Sequence, residues 1–202
     1  MSDFSIFLRP FKENDHLLIN KWRNDPEIQK MTGGPIRYVS LEIEREWVLS
    51  RMKDNIRNIY WAICLNNESE KMVGYISLNN IDHLNKCADA GGTVIGDKEA
   101  RDGYIIFEAM YLLLDYAFHQ LNLNRITASC LPDHYMAPHS LYSFGFKKEG
   151  TAVSAIYKNG AYHNVDHYAL LRNTYDHLFT SGQYQISTLV RRCIKHIKEG
   201  RK

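Results

Sequence analysis

The sequence predicts a mixed α/β (α+β) domain, with a mostly antiparallel central sheet, helices on both faces and a helical appendage at the C-terminus. Three observations predict it. Short apolar runs of strand length recur along the chain, bounded by turn residues. Stretches with apolar residues at helical spacing separate the first strand from the second and the later strands from one another. One strand, helix, strand unit between Ala88 and Cys130 places a crossover inside an otherwise antiparallel order. The chain has 202 residues, 45% of them hydrophobic, which suits one sizeable core and is cramped for two full domains.

In order, Phe4 to Leu8 alternates and ends at Arg9-Pro10 as a strand. Asn14-Asp15 then caps a helix whose apolar series is Leu17, Leu18 and Trp22, and Asn24-Asp25-Pro26 ends it. A short helical turn from Glu27 to Lys30 leads into the loop Thr32-Gly33-Gly34-Pro35, and Ser40 caps a helix carrying Leu41, Ile43, Trp47 and Val48. Ile59 to Leu65, Met72 to Leu78 and Ala88 to Ile95 form an antiparallel meander, and Gly91-Gly92 inside the third strand fits a bulge. The period then changes: Ile106, Met110, Leu113, Leu114, Ala117 and Leu121 share one face of a long amphipathic helix. Arg125 to Cys130 is a strand, Pro132 to Phe144 a short helix, and Gly150 to Tyr157 and Tyr162 to Leu171 are the arms of a hairpin turning at Lys158-Asn159-Gly160. Tyr175 onward reads as helical. At the end, Ile186, Leu189, Val190, Cys193, Ile194 and Ile197 line one helical face opposite basic residues, a stripe expected to pack on the domain or on a sister subunit.

The net charge of +2 comes partly from Arg191, Arg192, Lys195, Lys198, Arg201 and Lys202, which face only Glu199 as a local acid. The body is nearly neutral, which argues against a nucleic-acid partner. No apolar window approaches the roughly 18 residues of a membrane span, and no basic-then-apolar leader opens the chain, so a cytoplasmic location is expected. Cys64, Cys87, Cys130 and Cys193 are widely separated, and neither a disulfide framework nor a metal site is expected.

Three stretches carry a family likeness: Trp22-Arg23-Asn24-Asp25-Pro26-Glu27, then Ile95-Gly96-Asp97-Lys98-Glu99 through Phe107-Glu108-Ala109, and Phe144-Gly145-Phe146-Lys147-Lys148-Glu149-Gly150. With Asn159-Gly160 and Tyr168-Ala169-Leu170-Leu171 following in order, the chain resembles the GNAT superfamily of N-acetyltransferases over roughly Phe7 to Tyr175. Within it, the likeness is to the branch of ribosomal-protein N-terminal acetyltransferases, polyamine acetyltransferases and nucleotide-amino-sugar acyltransferases. The resemblance implies an acyltransferase domain at 1–175 and a C-terminal helical extension at 176–202.

The resemblance also implies acetyl-CoA, or a longer acyl-CoA, as co-substrate. In the family, the loop before the long helix holds the coenzyme pyrophosphate on backbone amides, where a helix N-terminus favours an anion. Arg101 takes that loop's first position, but Tyr104 and Ile106 stand where small residues belong, and Gly103 comes one position early. Arg101, Asp102, Gly103, Tyr104, Ile105 and Ile106 are the implied coenzyme residues, with Thr93, Val94 and Ile95 on the preceding strand for pantetheine and Ala137 and Ser140 on the next helix. A backbone amide of that strand would face the thioester carbonyl as an oxyanion donor.

For the proton on the attacking amine, His134 is the leading candidate base, since an imidazole titrates near neutrality, with Asp82 and Asp89 as alternatives. The family's tyrosine that protonates the leaving thiolate is replaced by Leu141. Tyr142 lies about 100° round the helix, and Ser140 and Tyr135 are further alternatives. Arg23, Tyr38, Asn80 and Asp89 fall where relatives build the acceptor pocket. The acceptor most resembles the small-molecule amine of a nucleotide-linked amino sugar, a substrate of cell-surface polysaccharide synthesis. A protein N-terminus, a polyamine and a non-catalytic coenzyme-binding role are the alternatives.

Overall fold

The computed structural model describes residues 4–101 and 103–200. Seven strands form one sheet in the order β1-β2-β3-β4-β5-β7-β6. They are β1 (Ile6–Pro10), β2 (Ile59–Leu65), β3 (Met72–Asp82), β4 (Cys87–Ile95), β5 (Arg125–Cys130), β6 (Lys147–Lys158) and β7 (Ala161–Leu171). All neighbours are antiparallel except β4 and β5. The helices are α1 (Asp15–Arg23), α2 (Pro26–Met31), α3 (Leu41–Met52), α4 (Ile105–Asp115, continued by a π turn to Gln120), α5 (Ala137–Ser143), α6 (Arg172–Thr180) and α7 (Ile186–Glu199). A core of Phe11, Ile19, Trp22, Val48, Tyr75 and Val94 lies under α1–α3, and a larger one under α4, α5 and α7. The expected mixed sheet with helices on both faces is therefore present.

Local chemistry explains several elements. Asn159 and Gly160 form a two-residue hairpin loop with φ of 51° and 81°, the left-handed pair that matches the twist of the strands they join. Ser40 Oγ accepts from the Ile43 amide and caps α3. The expected bulge is also present: Tyr75 opposes Val94 and Ser77 opposes Gly91, so β4 carries one extra residue, with Gly92 at φ 64°.

Helices α1 and α3 bury faces other than those predicted, and α4 buries its predicted face and more besides. In α1 the inward residues are Asp15, Ile19 and Trp22, while Leu17 and Leu18 face solvent. Asp15 is held inside by Arg9, whose guanidinium meets both carboxylate oxygens at 2.7 and 2.9 Å. In α3, Leu41 and Ile43 are exposed and Glu44 and Val48 are buried. Helix α4 is not amphipathic in its setting, because α7 covers the face that would otherwise meet water. Tyr111 packs against Tyr184, and Phe107 against Phe144, which also meets Tyr184. Helix α5 is shorter than predicted, because residues 131–136 form a loop that turns into it.

Glu44 is 0% exposed, and both its oxygens lack hydrogen bonds; Arg23 Nη1 approaches Oε1 at 3.4 Å without hydrogen-bond geometry. Burial raises its pKa above the ordinary carboxylate value, outweighing the attraction of Arg23. A raised folded pKa favours the neutral form, so the group's contribution to stability is complete at acid pH and is lost as pH rises through the folded value. Glu44→Gln is therefore expected to stabilise the fold at pH 7 by on the order of 1 kcal/mol, with the gain shrinking toward pH 4, as read by denaturant midpoints at both pH values.

Candidate active site

The site begins where the sheet comes apart. Strands β4 and β5 pair in parallel over three rungs, from Cys87 opposite Arg125 to Asp89 opposite Thr127, and then diverge. Beyond Asp89, residues 90–95 of β4 keep β3 on one side only. The bulge falls in this unpaired stretch, and the peptides at Gly92 and Thr93 have no ladder partner there. Ser77 Oγ donates to Gly91 O and fixes the bulge, and a Cβ at Gly92 would sit 2.7 Å from that hydroxyl. The divergence thus leaves one edge of β4 unpaired by β5, and Thr93, Val94 and Ile95 lie on that stretch.

Asp89 occupies the last paired rung. Asn80 Nδ2 donates to its Oδ2 at 2.7 Å, and Thr127 Oγ1 donates to Oδ1. Asn80 reaches it because a second bulge, with Asn80 at φ 52°, turns the end of β3 toward β4. Beside it, Asn79 Nδ2 donates to Ser77 Oγ at 3.0 Å, and Asn79 Oδ1 is buried without a hydrogen-bond partner. A polar stripe of Ser77, Asn79, Asp89 and Thr127 therefore runs to the mouth of the divergence.

The other predicted proton carriers are placed differently. His134 Nδ1 accepts from the amides of Met136 at 3.2 Å and Ala137 at 3.0 Å, capping α5. Burial holds its pKa below the usual histidine value, so the ring is neutral with its proton on Nε2. Its one lone pair is already spent, and it offers a donor rather than a base. Asp82 accepts from the amides of Leu84 and Asn85 and from Asn85 Nδ2, bonds that close the β3–β4 turn and lower its pKa. Tyr142 stacks on His196 of α7 with ring centroids 3.9 Å apart, and the buried neighbour is Leu141. Ser140 Oγ donates to the Ala137 carbonyl within its own helix.

At the start of α4, Gly103 adopts φ 86° with open space around it, Tyr104 is half exposed, Ile105 is buried and Ile106 packs partly on the core. Asp102 lies outside the described residues. Arg101 turns back: Nε donates to Ile95 O at 3.0 Å and Nη2 to Gly96 O at 3.3 Å, with Glu27 4.0 Å away. It joins the loop to the end of β4.

The Trp-Arg-Asn-Asp run makes packing and capping contacts. Trp22 lies so close to Gly96 that a Cβ there would fall 2.0 Å from the indole. Arg23 stacks over Trp47 at 4.0 Å beside Glu44. Asn24 bonds both the N–H and C=O of Val39, and Asp25 caps α2 through the Glu27 amide. Tyr38, on the segment so held, is 92% exposed and does not line the pocket formed by residues 131–135 and the hairpin tip. The pocket itself, about 430 Å3, lies past the end of β5, between residues 131–135, the tip of the β6–β7 hairpin and Lys30 of α2. Lys30, Lys158, Tyr162 and His163 belong to it and were missed in the sequence. Only the Asn159-Gly160 turn hinted that the hairpin tip has a defined position.

A parallel pair that splits at a bulge, with a helix N-terminus after it, is the scaffold of an acyl-CoA-dependent transferase. The chain matches the Acetyltransferase (GNAT) domain model over residues 5–147, and it belongs to that family. It is 31% identical over 105 residues to the "Putative ribosomal N-acetyltransferase YdaF" of Bacillus subtilis (strain 168), covering 52% of this chain and 56% of that protein's length. It is 28% identical to an uncharacterized N-acetyltransferase of Bacillus licheniformis, over 84% of this chain and 94% of that one. The spermidine N-acetyltransferase of Vibrio cholerae, solved with CoA and spermine, superposes with a TM-score of 0.76 over 85% of this chain and 98% of its own, at 22% identity, a likeness of fold. None of these three proteins is named for a nucleotide sugar.

Proposed function

We propose that this protein transfers the acetyl group of acetyl-CoA to the primary amine of a small molecule. The observation that carries the reading is the opening of β4 from β5 immediately after Asp89, with the unpaired residues Gly92 and Thr93 of the bulge beginning three residues further along. Bound acetyl-CoA supplies the acyl group as a thioester. The edge of residues 90–95 that faces away from β3 suits an extended amide-bearing arm, and the residues of 103–106 at the start of α4 suit a phosphate-bearing one. The Gly92–Thr93 peptides supply N–H donors for the carbonyl oxygen on which negative charge develops.

Asp89 takes the proton from the attacking amine. Its carboxylate is positioned by Asn80 and Thr127 and keeps further lone pairs, whereas His134 has none to offer. Asn79 Oδ1, the unmatched acceptor on the same stripe, fits an amine N–H. The likeness to an enzyme named for ribosomal acetylation favours a protein N-terminus as the second reading. The nucleotide-linked amino sugar stays as one member of the small-molecule class. Thiol release from acetyl-CoA, followed over amino sugars and their nucleotide esters, amino acids, polyamines and N-terminal peptides, tests the reading. A small amine is expected to release thiol. Release with peptides alone would transfer the assignment to the second reading, and release with none would reject both.

A further inference from the structure

Resting on the proposed acetyl transfer, and taking the 430 Å3 pocket as its acceptor site, we infer that the acceptor carries an anionic group, a phosphate or a carboxylate, beside its amine, and that Lys30 and the N–H of His134 bind it. The lining supplies positive charge and donors with little to oppose them. Lys158, 5% exposed, reaches from the hairpin to the end of α2, where its ammonium donates to the carbonyls of Gln29 at 2.5 Å, Lys30 at 3.4 Å and Thr32. These bonds satisfy its hydrogens but leave its charge uncompensated. Lys30 projects from the same helix end and is exposed. Among the described residues, neither ammonium is paired with a carboxylate, and Asp133 is the one acid on the lining.

His134 adds direction. Because both amides at the start of α5 use Nδ1, the ring presents Nε2–H, and burial, which lowers its pKa, favours the neutral ring. The phenol of Tyr162 is a further donor on the opposite wall. A polycation would meet two ammonium groups and one carboxylate here. An anion would compensate the buried Lys158 charge and accept from Lys30 and His134, a charge-assisted pattern.

Calorimetry on the full chain without acyl-CoA tests this directly, using glucosamine 6-phosphate against glucosamine, serine against serinamide, and spermidine. At least one anionic probe is expected to bind about tenfold or more tighter than its neutral partner, and the pair showing the difference identifies phosphate or carboxylate. Lys30→Glu should abolish the preference and Lys30→Arg should keep it. Equal binding within both pairs, tighter binding of spermidine, or a preference unchanged in Lys30→Glu would overturn the inference. Because binding is read without turnover, failure of acetyl transfer would count against the proposed activity alone.

Discussion

Asp89→Asn is expected to lower the rate of acetyl transfer by about 100-fold or more, the usual loss on removing a positioned general base, while leaving the KM for acetyl-CoA unchanged. The replacement is nearly isosteric. The carbonyl oxygen of the new side-chain amide still accepts from Asn80, and its nitrogen donates to the Thr127 hydroxyl that donates to Asp89 in the native chain. The rung beside Thr127 and the opening beyond it should therefore persist, and a melting temperature close to the native one would show that the loss is chemical. Steady-state kinetics at saturating amine, repeated at higher pH where more of the amine is already deprotonated, completes the test. The deficit should narrow as pH rises if Asp89 acts by accepting that proton. A native rate in the variant would remove Asp89 from the mechanism.

Ending the chain at Thr180 is expected to destroy the fold. The segment removed contains Tyr184, Leu189 and Cys193, each at most 3% exposed, with Ile186, Val190 and Ile197 packed around them. At about 1.5–3 kcal/mol for each large buried apolar side chain, the loss is on the order of 5 kcal/mol or more. That is comparable with the whole stability of a typical domain. Polar links would go as well: Tyr184 donates to the Phe144 carbonyl at 3.1 Å, and Arg192 to the Ser143 carbonyl at 2.8 Å, so the removed segment satisfies the C-terminal end of the seven-residue α5. His196 meets the same helix through His139 and Tyr142. The measurement is the far-UV circular dichroism and soluble yield of the truncated chain. Leu189→Ala, expected to cost about 2–5 kcal/mol, gives a graded version in a chain that still folds. A truncated protein that melts cooperatively near the native temperature would show α7 to be dispensable. Of the apolar stripe of α7, Ile186, Leu189, Val190, Cys193 and Ile197 pack on its own domain, while Ile194 is exposed.

Much of this protein was determined by its sequence alone. Period-two and period-3.6 patterns set which segments became strands or helices, since alternate burial on a pleat and one-sided burial on a helix are local consequences of backbone geometry. The Asn159-Gly160 turn, the Ser40 cap and the Gly91-Gly92 bulge were legible for the same reason: each is a short-range requirement on φ or on one hydrogen bond. Tertiary structure decided which face each helix buried and what each polar group was free to do. Glu44 is inside and Leu41 outside because of what α1 places opposite them. Helix α4 is covered on both sides because a segment far along the chain, α7, returns to it. His134 looked like a base, and Asp89 only like an alternative. The fold gives them different surroundings: two backbone amides take the imidazole's lone pair, and the sheet splits beside the carboxylate. Composition reveals which residues can carry a proton, but only three-dimensional packing decides which lone pairs remain unspent, because the partners that occupy them come from distant parts of the chain.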